Sequence, residues 1–422
     1  MAGERAGHGP ERYGGLRRRA VLPALAALLL PSAACTAPAP ARTPATTAGT
    51  ATDAVRLLLA RRAAAVLDRD EAAYLAVLDP RADTLRATAR AEFAHLAELP
   101  LRSWDYHLTG VRRTGARATV HAELRYRITG YDTAPVATPR ALTLAEHDGR
   151  WYVSADRPGA GGTEQLWQQG RVRAVRGARS LVLGVGQDER TLRRIADTAD
   201  LAVPAVDRAW PDPWARRVLL LVPASRQAMA ALLGAAGDGY RSIAAVTTGE
   251  TGGTGPTPAD RIIVNPEAYG ELSDLGRRVV LTHETTHVAT RAATSPATPT
   301  WLSEGYADHI AYRGTGLTAA RIAPELRRAV RRDKAPTALP PDTDFAFTGD
   351  ADRLARAYES GWLACELIAD RWGERSLTDF YRAVGGHTGR AGAVARAARD
   401  ILGTTEADLT ARWRDSVRQR LG

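Results

Sequence analysis

Five consecutive residues, His283-Glu284-Thr285-Thr286-His287, constrain this chain more than any other stretch of its 422 residues. Leu275, Val279 and Val280 before them repeat at helical spacing, which predicts that the five lie on a helix. On it His283 and His287 stand one turn apart on one face, so two imidazole nitrogens reach a single ion at about 2.0–2.1 Å. Glu284 sits about 100° round from His283, near such an ion but aimed at water rather than at ligation. With nine histidines in 422 residues, chance alone produces the pattern in roughly one chain per hundred. A helix carrying two buried neutral histidines is therefore the competing reading, and a second motif has to decide.

That motif is Trp301-Leu302-Ser303-Glu304-Gly305-Tyr306-Ala307-Asp308, separated from His287 by 16 residues before Glu304. Pro296, Pro299 and Thr300 in between make a loop that reverses the chain. A second helix starting near Trp301 then lies beside the first and offers Glu304 as a third ligand. Asp308, one turn on, accepts the hydrogen bond from a ligand histidine's other nitrogen and fixes its tautomer. Three ligands leave a fourth position open for water, as in catalytic rather than structural zinc sites.

HETTH followed by WLSEGYAD resembles the gluzincin (peptidase MA) clan of zinc metallopeptidases, over about residues 180–422. Tyr358-Glu359-Ser360-Gly361 is similar to the YEKG-type segment of the clan's aminopeptidase-like branch, whose tyrosine hydrogen-bonds the developing oxyanion. The resemblance implies Zn2+ held by His283, His287 and Glu304, with Glu284 and Tyr358 as catalytic residues and Asp308 behind the ligands. It also implies a peptide or protein substrate. For Tyr358 a core tyrosine with a capped hydroxyl is the alternative, and Cys365 on the same helix face reads as a plain buried thiol. No GAMEN-like segment precedes the HExxH, and the spacing to Glu304 is shorter than the family's usual one. Both departures weaken a claim of exopeptidase specificity, and the missing segment leans toward endopeptidase or narrow-specificity action. The strand that would hold substrate by main-chain pairing is either Ile243–Thr247 or Arg261–Asn265. His309 is expected to point away from the ligand set, His387 to sit in a loop, and GETGGTG, without a Gly-Lys-Ser/Thr ending, to form a loop beside the cleft.

The fold class expected is α+β, in two regions. Residues 53–157 open with helical patterns (Val55, Leu58, Leu59, Ala63, Val66, Leu67, then Tyr74, Leu75, Leu78) and continue with strand-like alternation. That order, with the ending DGRWYV after the turn Asp148-Gly149, is similar to NTF2-like cone domains. His95, His107, His121 and His147 in this region are not at metal-ligand spacing. PGAGG at residues 158–162 marks a boundary. Residues 163–422 begin with strands at Ser180–Val185, Arg217–Val222, Ile243–Thr247 and Arg261–Val264 and turn helical from Ser273, which predicts a mixed sheet lobe and a helical lobe with a cleft between.

The N-terminus reads as a processing segment. Arg17-Arg18-Arg19 precedes a 12-residue apolar stretch, Ala20–Pro31, too short for the about 20 residues a spanning helix needs, so residues 1–34 read as an export signal peptide. Ser32-Ala33-Ala34-Cys35 resembles a bacterial lipobox, which implies lipidation of Cys35 and attachment to the extracytoplasmic face of the cell membrane. Residues 35–52, rich in Ala, Pro and Thr, read as a tether. The net charge of +10 is scattered in arginine pairs without interleaved aromatics, so no nucleic-acid partner is expected. The function expected is zinc-dependent hydrolysis of peptide bonds outside the cytoplasm. The rival is a catalytically silent, zinc-containing surface lipoprotein that binds a peptide or cell-wall ligand. The sequence leaves the oligomeric state open.

Overall fold

A computed structural model describes residues 46–235, 237–249, 257–346 and 350–422; the expected signal peptide, Cys35 and residues 36–45 of the tether lie outside it. The chain enters through helix α1 (Thr46–Leu67), which begins inside the stretch expected as tether. Helices α2 (Glu71–Ala76) and α3 (Asp83–His95) follow. The Asp70 side chain caps α2 by accepting from the Ala73 N–H. Strands β1 (Leu101–Thr114), β2 (Arg117–Ile128), β3 (Val136–His147) and β4 (Arg150–Pro158) form an antiparallel meander in that order. The β3–β4 connection is the two-residue turn Asp148-Gly149, both at positive φ (51° and 73°), which matches the twist of paired strands.

A short helix α4 (Leu166–Gln169) leads into β5 (Arg173–Arg176) and β6 (Ser180–Gly184). Then come α5 (Glu189–Ala209), β7 (Val218–Val222), α6 (Arg226–Leu233), β8 (Ala245–Thr248) and β9 (Arg261–Val264). These five strands make a second sheet in the order β5-β6-β7-β9-β8, parallel through β6, β7 and β9 and antiparallel at both edges. The remainder is helical: α7 (Pro266–Glu271), α8 (Asp274–Thr290), α9 (Thr300–Tyr312), α10 (Ala319–Ile322), α11 (Pro324–Val330), α12 (Ala351–Trp372), α13 (Glu374–Gly385), α14 (Ala393–Leu402) and α15 (Glu406–Leu421). The molecule is thus α+β with two sheets. No helix among the described residues is long and apolar enough to cross a membrane.

Packing runs across the glycine-rich stretch at 158–162. Trp167 of α4 meets Trp104 of β1 and Tyr126 of β2 at ring-centroid distances of 5.3 and 5.1 Å. One apolar core therefore includes Val120, Leu124 and Leu144 of the first sheet together with Leu181, Leu183 and Leu219 of the second. Aromatic pairs of this kind add about 0.5–1.5 kcal/mol beyond the area they bury. A second core gathers the helices, where Trp210, Tyr306 and Tyr381 meet edge-on or tilted at 4.9–5.8 Å.

Candidate active site

Helix α8 starts at Ser273, whose hydroxyl accepts from the Gly276 N–H. It buries an unusual polar run, Thr282 to Thr286. Threonine hydroxyls cost free energy there without partners: Thr286, and Thr290 one turn on, each donate back to the carbonyl four residues earlier, at 2.8 and 2.9 Å, whereas the fully buried Thr285 hydroxyl finds no partner among the described residues. The helix can thus carry His283 and Glu284 inside the protein, 9% and 6% exposed. Helix α9 lies against it, as the proline-containing connection predicts, and brings Glu304 to the histidines.

The three donor atoms converge. His283 Nε2 is 3.0 Å from His287 Nε2 and 3.1 Å from Glu304 Oε2, and His287 Nε2 is 3.3 Å from the same oxygen. An ion with bonds of 2.0–2.1 Å in tetrahedral disposition separates its ligands by about 3.3 Å, so these residues fit a zinc ion in spacing and in kind. Among the described residues, this is the one cluster of histidine, cysteine and carboxylate side chains so spaced. His283 Nδ1 donates to Asp308 Oδ1 at 2.8 Å, which leaves Nε2 turned toward Glu304.

Electrostatics follow from the same contacts. Burial pushes the His283 imidazole down, but the Asp308 and Glu304 carboxylates outweigh it and hold its pKa well above the usual value. Burial raises the Glu304 carboxyl, and His287 and His283 outweigh that, leaving it below the ordinary carboxylate range. Tyr358, on α12, has its ring 6.2 Å from that of His283. Burial, then Glu304, Glu284 and Asp308, keep its hydroxyl protonated far above pH 10, so it faces the cluster as a donor.

The structure also supplies what the sequence did not signal. Thr247, on β8, donates its hydroxyl to Glu284 Oε2 at 2.6 Å, and the Glu284 and Glu304 charges both act on the Tyr358 hydroxyl. Among the described residues β8 pairs with β9 alone, whereas β9 is flanked by β7 and β8, so the strand edge next to the site is that of β8. Of the two strands left open from the sequence, it is the first that lies at a sheet edge among the described residues. Glu359, next to Tyr358, turns elsewhere: its carboxylate accepts from the Leu326 and Glu325 N–H groups at 2.5 and 3.2 Å and caps α11. Burial pushes that carboxyl up to about 7, against the two N–H donors.

The remaining candidates are placed as follows. His309 points away from the ligand set, into a pair of carboxylates: Nδ1 to Glu366 at 2.8 Å and Nε2 to Glu374 at 3.0 Å. Cys365 is fully buried behind α9, with Sγ 4.0 Å from the Leu302 carbonyl. His387 lies between helices and pairs with the Gly389 carbonyl. The GETGGTG loop falls, but for Gly249, outside the described residues.

No family model matches the sequence, and no curated protein matches it. Among solved structures, a mutant of a two-domain M1 zinc metallopeptidase bound to L-arginine is similar at 11% identity and TM-score 0.34, covering 75% of this chain and 93% of that one. A mutant M1 zinc metallopeptidase from Deinococcus radiodurans bound to a Tyr-Ser-Ala substrate is similar at 13% identity and TM-score 0.31, covering 75% of this chain and 62% of that one. A variant of Rd1NTF2_05 is similar at 13% identity and TM-score 0.22, covering 26% of this chain and 99% of that one.

Proposed function

We propose that this protein is a zinc metallopeptidase that hydrolyses peptide bonds outside the cytoplasm, with His283, His287 and Glu304 as the residues that hold the ion. The observation that carries the reading is the Glu284 carboxylate. It follows His283 on α8, is held by Thr247, acts with Glu304 on the Tyr358 hydroxyl, and is not one of the three converging donors. A site built only to hold an ion has no use for a further carboxylate in that place.

Zinc, when bound there, supplies Lewis acidity that lowers the pKa of an attacking water and polarises the scissile carbonyl. Glu284 accepts the proton of that water and passes it to the leaving amine, a role typically worth about 10²–10⁴-fold in rate. The Tyr358 hydroxyl donates to the oxygen that gains charge, and one such donor contributes about 3–4 kcal/mol in other hydrolases. Asp308 holds the His283 tautomer. The edge of β8 receives the peptide backbone in extended form. In this proposal residues 1–34 direct export, Cys35 carries a lipid anchor at the extracytoplasmic face of the membrane, and the region 53–157 is an NTF2-like domain.

The test is cleavage of a mixed peptide library by the zinc-loaded chain from Cys35 onward, beside its Glu284→Gln variant, read by mass spectrometry. The peptidase reading expects products from the native chain alone and equal zinc content in both. Zinc in both and products from neither would leave the rival, a silent surface lipoprotein that binds a peptide or cell-wall ligand.

A further inference from the structure

A cavity of about 330 Å³ lies at the C-terminal end of α8, with Tyr131, Trp214, Arg217, Asp260, Val288 and Arg291 in its wall. Its position follows from the helix period. Val288 is four residues beyond Glu284 and Arg291 four beyond His287, so each stands one turn, about 5.4 Å, further along the stripe that carries the site. Strand β8 leads the same way. Thr247 contacts Glu284, and two residues on, a Cβ at Gly249 would lie against the Asp260 carboxylate and 3.1 Å from Arg291 Nε. The cavity thus begins one helical turn beyond the site, where the starts of β7 and β9 meet the end of α8.

The cavity carries an excess of positive charge. Arg291 donates its Nε to Asp260 Oδ2 at 2.9 Å, which leaves the rest of its fork unused among the described residues. The Arg217 guanidinium stacks over the Tyr131 ring at 5.7 Å and has no carboxylate partner among the described residues. Two guanidiniums thus face one carboxylate, and a guanidinium fork suits a second carboxylate as its ligand.

The wall contributed by the first sheet is anchored there. The turn at 129–135, between β2 and β3, supplies Tyr131 and Thr133 to the cavity. Between them Asp132, its side chain wholly buried, accepts from Arg261 Nη1 and Nη2 at 2.6 and 2.8 Å, from the Ile128 N–H at 2.6 Å and from the Ala259 N–H at 3.0 Å. Thr133 donates to the Thr257 carbonyl at 2.8 Å. A fully bonded, buried ion pair is a fixed joint, because loss of one partner strands the other charge in the interior.

We propose that this cavity, one turn along α8 from the site, is a carboxylate-binding subsite for substrate, in which Arg217 and Arg291 receive an acidic side chain or the terminal carboxylate of a peptide, and that the 129–135 turn completes it. The inference rests on the peptidase reading for the nature of the ligand. It assigns the N-terminal region a part in substrate selection.

The probe is one mixed peptide library prepared in three forms: unmodified, C-terminally amidated, and with Asp and Glu replaced by Asn and Gln. The zinc-loaded chain is expected to cleave the unmodified form about tenfold faster in kcat/KM than the form lacking the recognised carboxylate. A loss on amidation assigns the terminal carboxylate, and a loss on replacement assigns the side chain. Arg217→Gln, at an exposed position, should bring the ratio close to one, and Arg217→Glu should invert it. Equal rates on all three forms, or a preference that survives Arg217→Glu, overturns the subsite and leaves the peptidase reading standing. If no form is cleaved, the peptidase reading fails by itself. Fluorescence anisotropy of the labelled libraries on the Glu284→Gln variant then decides the subsite: tighter binding of the unmodified form supports it, and equal binding overturns it.

Discussion

The backbone of Gly305 lies directly against that of Gly361: a Cβ on Gly305 would run into the Gly361 carbonyl, and one on Gly361 would stand 2.5 Å from the Trp301 carbonyl oxygen. Two helices can approach so closely only where neither carries a side chain. The contact fixes α9 against α12, and with them Glu304, one residue before Gly305, against Tyr358, one turn before Gly361. Gly361→Ala should cost at least about 2 kcal/mol of stability through overpacking, measured by urea unfolding. Zinc affinity should fall with it, because Glu304 moves when α9 does. A variant that unfolds like the wild type and binds zinc normally would show that the helices can slide apart at no cost.

Thr247→Val removes the hydroxyl that holds Glu284 and keeps the shape of the side chain. Hydrogen bonds to charged groups are worth about 1.5–3 kcal/mol, so kcat should fall roughly tenfold. Zinc content should not change, since Thr247 touches none of the three ligands. Thr247→Ser should restore most of the rate. Steady-state kinetics with metal analysis of each variant reads both quantities.

Asp308→Ala leaves the His283 Nδ1–H without its acceptor and frees the ring to turn. Loss of such a partner typically weakens metal binding by about 10–100-fold. Competition with a chromogenic chelator measures this directly. Asp308→Asn, which still offers an oxygen to Nδ1, should lie between the wild type and alanine.

His309 gives the fold a pH dependence of its own. Burial pushes its imidazole down, but Glu366 and Glu374 on either side outweigh this and push it up to about 9. The unfolded chain protonates histidine near its ordinary value of about 6.5. A group raised on folding stabilises fully below its unfolded pKa and loses that contribution as pH rises through the folded value. Stability should therefore decline between pH 6.5 and about 9. The loss is roughly 2–3 kcal/mol, less than the full shift implies because Glu374 is partly exposed to solvent. His309→Gln should flatten that decline, as read by urea unfolding at pH 6.5 and 9.5. A variant with the same slope as the wild type would assign the dependence to other groups.

The convergence of His283, His287 and Glu304 was legible in the sequence because it is encoded by short-range spacing. One helical turn joins His283 to His287 and another joins Glu304 to Asp308, and prolines at 296 and 299 announce the reversal between them. The strands at 180–184, 218–222 and 261–264 were equally readable, as apolar runs buried on both faces. Thr247 was not: a threonine in a short strand looks the same whether it faces solvent or a carboxylate 37 residues away. Gly305 and Gly361 belong to motifs quoted for their neighbours, and nothing along the chain says that their backbones touch. Trp167 was hidden for a related reason. It follows a run of glycines that resembles a domain linker, and only its ring contacts with Trp104 and Tyr126 tie it to the sheet before.

Those ring contacts bear on how such a chain can change over generations. From Thr46 to Gly422 the molecule is one compact unit, with Trp167 filling the core on one side of the glycines while the chain that carries it runs on into the other. Recombination at residues 158–162 would strip Trp104 and Tyr126 of their cover and expose the apolar face of β6 and β7 to water. A cut there would leave each half with an uncovered apolar face.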